Sequence, residues 1–345
     1  MIRYGRTPSN AKTGERLHMT AQIACFGELL LRLAAPGCER LLQTPSLQVF
    51  VGGAEANVAA ALSAFGHKTA MVSVLPDNSL GSAALAHLRA HNIDTTHVFT
   101  APGRMGLYFH TRGAMQRPPD VLYDREHSSI ALVDPKLFDW TLILSGKKWL
   151  HVSGITAAVS ERAAESALQA VQAARRLQVR VSFDCNYRAR VWGTRATEAP
   201  RILKELCSYA DLLIADDRDL AFIIDKSVDG AAAFKRFPQL QWLARTQRDV
   251  ASVEQHGYSG ELLTRNERAQ SRPTDLVGIV ERIGAGDAFA AGVLHGLIDN
   301  APLQSVVDFA AAAACYKHSL PGDACIATVA EIEAWLSGVG AHIKR

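Results

Sequence analysis

Glu281-Arg282-Ile283-Gly284-Ala285-Gly286-Asp287-Ala288-Phe289-Ala290-Ala291-Gly292 is the stretch that decides how this 345-residue chain is read. Strand-like Asp275–Val280 runs into it and a helical pattern, Gly286–Leu297, leaves it. Gly284-Ala285-Gly286 therefore falls at a helix N-terminus with no large side chain in the way. Backbone N–H groups there have no acceptor within the helix, and the positive end of the helix dipole adds to them, so the place suits an anion. Asp287 lies in the first helical turn beside that seat. A carboxylate in this position can take a proton from an attacking hydroxyl while the amides of Gly284, Ala285 and Gly286 hold the charge of a transferring phosphoryl group. Two plainer readings stay open on the residues alone: an N-capped helix beside glycines, and a dinucleotide-binding loop. The second needs glycine where Phe289 stands. A Walker loop is absent, because Gly146-Lys147-Lys148 lacks the spaced upstream glycine and the Ser or Thr.

Outward from this segment the chain alternates short apolar runs with helical patterns, which is the signature of βαβ units. Ile23–Phe26, Ala70–Leu75, Trp149–Ser153, Val179–Asp184, Leu212–Ala215, Trp242–Arg245 and Val250–Gln255 read as strands. Ala54–Phe65, Ser79–His91, Ser160–Leu177, Thr197–Tyr209, Leu303–Lys317 and Val329–Leu336 read as helices. The class is α/β: a three-layer α/β/α sandwich around a mainly parallel sheet. Two stretches, about 29–52 and 105–125, break the alternation with β-like runs and no helix between. They predict a small antiparallel β-sheet lid. Residues 1–20 are polar and aperiodic and read as a disordered extension ahead of a single domain, 21–345.

The composition excludes several classes. Lys plus Arg is 37 and Asp plus Glu is 34, without long blocks of either sign, so neither nucleic acid nor an acidic membrane is the expected partner. The longest apolar run, Phe309–Tyr316, is far short of the roughly 20 residues that cross a bilayer. Six cysteines form no Cys-x-x-Cys pair and there is no Asn-x-Ser/Thr sequon, which fits a cytoplasmic setting.

A second constellation, Gly52-Gly53-Ala54-Glu55-Ala56-Asn57-Val58-Ala59, ends the first lid segment and opens an alanine-rich helix. Taken alone it is a tight turn or a hinge. Together with Gly284-Ala285-Gly286-Asp287-Ala288-Phe289 about 230 residues later, it resembles the PfkB, or ribokinase-like, carbohydrate kinases over residues 23 to about 338. The resemblance implies transfer of the ATP γ-phosphoryl group, with Mg²⁺, to a sugar hydroxyl. It makes Asp287 the base, Gly284, Ala285 and Gly286 the anion hole, and Gly53 and Asn57 sugar contacts. An Asn-x-x-Glu motif that organises metal-bound water in the family is replaced here by Asp216-Asp217-Arg218-Asp219. This places Asp216 and Asp219 near the nucleotide, with Asp219 reaching Mg²⁺ through water. A monovalent cation is a further candidate.

Tyr123-Asp124-Arg125, Gly106-Leu107-Tyr108, Ser153-Gly154-Ile155 and Asp184-Cys185-Asn186-Tyr187-Arg188 look like those of the 2-keto-3-deoxygluconate kinases within the family. That resemblance implies that Tyr108, Tyr123, Arg125, Ile155 and Arg188 contact the sugar acid. Two arginines around one sugar suit a carboxylate, and Arg32 stands where some relatives have a sugar-binding Asp. Thr246-Gln247-Arg248-Asp249-Val250 replaces a glycine-containing turn that lies against ATP in many relatives, with Arg245, Thr246 or Arg248 as phosphate contacts. Lys317-His318-Ser319-Leu320-Pro321-Gly322-Asp323 resembles a segment expected near the adenine pocket. The alternatives are a kinase for a neutral sugar such as fructose, and a non-catalytic sugar-binding module. A homodimer paired through the lid is expected.

Overall fold

The computed structural model describes residues 22–224 and 230–338. The expected extension, 1–20, lies outside the described residues. The first apolar run forms β1 (Ile23–Phe26), buried on both faces. The chain then leaves the layer through β2 (Leu30–Ala34) and β3 (Gln48–Gly52), forms α1 (Ala54–Ala64), and returns as β4 (Thr69–Leu75). After α2 (Ser79–Ala90) and β5 (Asp94–Thr100) it leaves again as β6 (Gly106–Thr111) and β7 (Asp120–Asp124). The middle of the chain gives α3 (Ser129–Leu132), α4 (Trp140–Leu144), β8 (Trp149–Ser153), α5 (Gly154–Val159), α6 (Glu161–Arg176), β9 (Arg180–Asp184), α7 (Ala189–Trp192), α8 (Ala199–Cys207) and β10 (Leu212–Ile214). The last third holds α9 (Asp217–Ile223), α10 (Gly230–Arg236), β11 (Trp242–Val250), β12 (Gln255–Leu263), β13 (Arg268–Gln270), β14 (Thr274–Val277), α11 (Ala285–Ile298), α12 (Leu303–Lys317) and α13 (Val329–Leu336).

The main sheet has ten strands in the order β13-β12-β11-β10-β9-β8-β1-β4-β5, with β14 also paired to β12. From β11 to β5 every neighbouring pair is parallel, and β12 adds an antiparallel edge. Side chains alternate across this layer. Ile23 and Cys25 of β1 enter a core shared with α1, α11 and α12, whereas Ala24 and Phe26 enter the core under α4, α6 and α8. Helices on both faces explain why the parallel strands read as unbroken apolar runs.

The second sheet has four strands in the order β3-β2-β6-β7. Its outer pairs are antiparallel, but the central pair, β2 with β6, is parallel, with Arg32 opposite Tyr108. The antiparallel expectation fails there for a topological reason: β2 and β6 continue onward from β1 and β5, which already run the same way.

A second correction concerns Val250–Gln255. It is the tip of the β11–β12 hairpin and not a strand, and the Ala251 N–H closes it on the Gln255 carbonyl at 3.2 Å. The Thr246–Val250 stretch expected to turn is regular ladder, with Thr246 opposite Gly260 and Val250 opposite His256. Position 260 must be small, since a Cβ there would lie 2.5 Å from the Phe289 ring.

Candidate active site

Gly284 adopts a left-handed conformation, φ +82°, as the residue before α11, and a Cβ on it would sit 1.7 Å from the Asp323 carbonyl oxygen. Only glycine fits that crossing. The first N–H of α11 to find a backbone acceptor in its own turn is that of Ala288, on the Gly284 carbonyl at 2.9 Å. The N–H groups of Ala285, Gly286 and Asp287 precede it. Ala285 turns its methyl into the core and offers only its backbone, whereas Gly286 is exposed and no described residue lies within 4 Å of where its side chain would stand. The result is an open seat of amide donors at a helix N-terminus.

Asp287 stands over that seat. Its Oδ2 accepts from Asn57 Nδ2 at 2.7 Å, joining the first turns of α11 and α1. Burial pushes the Asp287 carboxyl up to about 7, with Asn57 opposing and the charge of Glu55 adding to it. Asn57 is placed by Gly53, which has a φ of +145° and on which a Cβ would stand 2.2 Å from the Glu28 carbonyl oxygen, so no side chain is admitted. Glu55 pins the same helix end: its Oε1 accepts from the Ser153 N–H at 3.0 Å and from the Ser153 and Thr156 hydroxyls, each at 2.7 Å.

At the end of β9, Asp184 is raised to about 8, first by burial and then by the charge of Asp287. Two residues on, Asn186 (φ +38°) turns the chain so that exposed Arg188 caps α7. Arg188 makes no ion pair among the described residues, and its one hydrogen bond there is from Nη1 to the Tyr187 carbonyl at 3.0 Å. Asp216 and Asp219 form a capping box at the start of α9: the Asp216 carboxylate takes the Asp219 N–H at 2.9 Å and Asp219 takes the Asp216 N–H at 3.2 Å. Burial raises the Asp219 carboxyl, and the nearby Asp216 charge adds to it. Arg245 is paired to both Glu261 and Asp217, and Thr246 follows it along β11.

The second sheet closes the other side. The buried Tyr108 hydroxyl donates to Asp323 Oδ2 at 2.6 Å, and Tyr123 lies opposite it on β7. Arg125 is 6% exposed and its Nε meets Glu28 Oε2 at 2.5 Å, while Nη1 is buried without an acceptor among the described residues. Arg32, which stands where some relatives have a sugar-binding Asp, is only 1% exposed, hydrogen-bonded to Glu281 at 2.6 Å and ion-paired with Asp323 at 3.1 Å, under the Phe50 ring at 4.3 Å. Two carboxylates already neutralise it, so it is a strut from the second sheet to the loops before α11 and after α12, and not a ligand contact. Asp323, too, faces the second sheet, at Tyr108 and Gly52, so this end of the Lys317–Asp323 segment serves that sheet.

One cleft of about 750 Å³ is lined by Gly53, Asn57, Tyr108, Tyr123, Arg125, Ile155, Arg188, Asp216, Asp219, Arg245, Thr246, Gly284, Gly286 and Asp287 together. Ala285 is the one expected site residue outside that lining. Sequence reasoning passed over Asp184 and Asp323, which line the cleft, and Glu28 and Glu55, which brace it. Asp184 and Glu55 stood inside motifs already singled out, and their acidity at glycine- or asparagine-rich strand ends was the available signal.

The sequence profile of the pfkB family carbohydrate kinases matches residues 20–326. Over 328 residues the chain is 31% identical to a 2-dehydro-3-deoxygalactonokinase of Haloferax volcanii, covering 95% of this chain and 100% of that protein. The crystal structure of a 2-dehydro-3-deoxygluconokinase from Thermotoga maritima matches at TM-score 0.88 and 36% identity, covering 93% of this chain and 99% of that one. A PfkB family carbohydrate kinase from Listeria grayi matches at TM-score 0.88 and 36% identity, over 92% and 99%. With its ribokinase-like fold, the chain belongs to the pfkB family of carbohydrate kinases.

Proposed function

We propose that the protein transfers the γ-phosphoryl group of ATP to the terminal hydroxyl of a 2-keto-3-deoxy sugar acid, 2-keto-3-deoxygluconate or its galactonate epimer. The observation that carries this is the placement of Asp287 and the α11 amides in one cleft with Arg188, a guanidinium without a carboxylate partner among the described residues. Arg188 takes the substrate carboxylate, and Tyr108, Tyr123, Arg125, Ile155, Gly53 and Asn57 surround the rest of the sugar. This orients the terminal hydroxyl toward Asp287. Asp287 accepts the proton as the oxygen attacks, and the N–H groups at the start of α11 hold the charge on the transferring group. The lid formed by about 29–52 and 105–125 keeps water from competing as acceptor.

The acidic residues fit a divalent cation. Asp184 is raised partly by the charges of Asp287 and Asp219, so negative charge gathers there beyond what Arg188 balances. Hard oxygen donors of this kind suit Mg²⁺, with Asp219 acting through water. Bound there, Mg²⁺ neutralises charge on the nucleotide phosphates. Arg245, Thr246 and Asp216 border the nucleotide side. An ATP-consuming reaction of this kind belongs in the cytoplasm, and the apolar Val49 (59% exposed) and Leu122 (57%) on the edge strands of the lid favour a homodimer through it.

The test is ADP release with 2-keto-3-deoxygluconate, 2-keto-3-deoxygalactonate, gluconate, fructose and ribose, each in Na⁺, K⁺ and choline buffers. The keto-deoxy acids are expected to lead by about 100-fold or more in kcat/KM, the range of a full charge contact. Preference for fructose establishes the neutral-sugar alternative. Sugar binding without ADP release from any member points to a non-catalytic module.

A further inference from the structure

Away from the cleft, the turn after α1 meets the C-terminal turn of α11. His67 Nε2 and His295 Nδ1 lie 2.7 Å apart, and Asp299, one helical turn beyond His295, brings Oδ2 to 3.7 Å from the same Nδ1. The three ligand atoms all fall within 4.8 Å of one another. We propose that His67, His295 and Asp299 form a binding site for a transition-metal dication of the Zn²⁺ class, with water completing a tetrahedron.

Geometry and donor chemistry carry the assignment. Bonds of about 2.0–2.2 Å to a tetrahedral ion put neighbouring ligand atoms about 3.3–3.5 Å apart. The His295–Asp299 spacing is already close to that. The imidazole pair has to open by about 0.6 Å, a small rotation for a His on a turn. Two nitrogens and one carboxylate select a borderline-soft ion over Mg²⁺ or Ca²⁺, which prefer all-oxygen sets. The His295 ring is held in orientation by Phe65 at 5.5 Å and Phe309 at 4.7 Å. Glu333 of α13 also acts on His295 electrostatically, so a second carboxylate is at hand to balance the dication. The metal would tie the α1–β4 turn to the far end of α11, the helix that carries Asp287 in its first turn.

The experiment uses the full-length protein stripped with EDTA and titrated with Zn²⁺ by calorimetry and with Co²⁺ by visible absorption. One equivalent should bind, Co²⁺ should give the intense bands of a tetrahedral site, and the melting temperature should rise. His67→Gln and Asp299→Asn each lie at the periphery of the cluster. With circular dichroism and kinase activity unchanged, they should weaken binding by about 100-fold or more, and Cys38→Ser, which removes the exposed thiol, should not. Failure of the native protein to bind either metal overturns the proposal. So does binding that survives His67→Gln and Asp299→Asn, or binding that Cys38→Ser abolishes.

Discussion

Asp287→Asn separates the chemical role of this carboxylate from its cost to the fold. The substitution keeps the size of the side chain, and the Asn57 amide can still donate to an oxygen at the position it now reaches at 2.7 Å. What goes is the charge. In the folded protein the carboxyl is pushed up to about 7, mainly by burial, against about 3.9 in an unfolded chain. A raised acid keeps its proton in the native state while the unfolded chain has released it. The native protein therefore loses stability as pH rises from about 4 to 7, and the full penalty is present above that. At about 1.4 kcal/mol per pH unit the ceiling is about 4 kcal/mol. Asp287 is only half-buried beside an open cleft, and water there screens the charge, so a gain of about 1–2 kcal/mol for Asp287→Asn at pH 8 is the figure to expect. Thermal unfolding with and without the substitution reads it directly. The variant should melt a few degrees higher at pH 8 and nearly level with the native protein at pH 4.5. ADP release should fall by about 10²–10⁴, the usual contribution of a positioned base. In the native enzyme, kcat/KM should climb toward neutral pH as the coupled Asp287 and Asp184 carboxyls lose protons. Retained activity, or a stability difference of equal size at both pH values, refutes the reasoning.

Arg188→Ala should raise the sugar-acid KM by about 10–100-fold with the ATP KM little changed, and Arg188→Lys should recover only part of that loss, measured by initial rates. Asp219→Asn should leave the capping box largely in place but shift the Mg²⁺ dependence of the rate to higher concentration by about tenfold or more, read from activity against free Mg²⁺. Arg32→Met removes the guanidinium paired with both Glu281 and Asp323, leaving buried Lys317 as the remaining cation near them, and should cost about 3 kcal/mol in urea unfolding, with no change in preference for acids over neutral sugars.

The parallel layer was legible because its strands are buried on both faces and read as unbroken apolar runs. Ile23–Phe26, Trp149–Ser153 and Val329–Leu336 coincide with their elements to the residue. β5, Asp94–Thr100, escaped because it is a half-buried edge strand of mostly polar residues, and β12 because Gly257 and Gly260 interrupt its pattern. Val250 and Val253 imitated a strand across what is a hairpin tip. Among the side chains, the residues over α11 were found through glycine spacing, a backbone requirement that sequence records. The fate of Arg32 was not recorded locally, because Glu281 and Asp323 come to it from the other end of the chain.

The same pairing logic distinguishes the arginines of the cleft. Arg245 is met by two carboxylates, Arg125 by one and Arg188 by none among the described residues. Glu28 and Arg125 share a single bond, and Glu28 Oε1 and Arg125 Nη1 are buried without hydrogen-bond partners among the described residues. Arg125, held by Glu28 in a neutral pair, suits the hydroxyl groups of a sugar, whereas a carboxylate calls for a guanidinium that no salt bridge among the described residues occupies, as at Arg188. Arg125→Met alone leaves Glu28 buried and unpaired. It should destabilise by about 3–5 kcal/mol and repel an acid, imitating the loss of a carboxylate contact. Arg125→Met with Glu28→Gln removes that artefact, and a double-mutant cycle on unfolding free energy should show coupling of about 1–3 kcal/mol. The paired variant should bind every sugar more weakly while keeping its preference for acids over fructose. If it instead loses that preference as fully as Arg188→Ala, Arg125 reads the carboxylate and the division of labour drawn from its salt bridge is wrong.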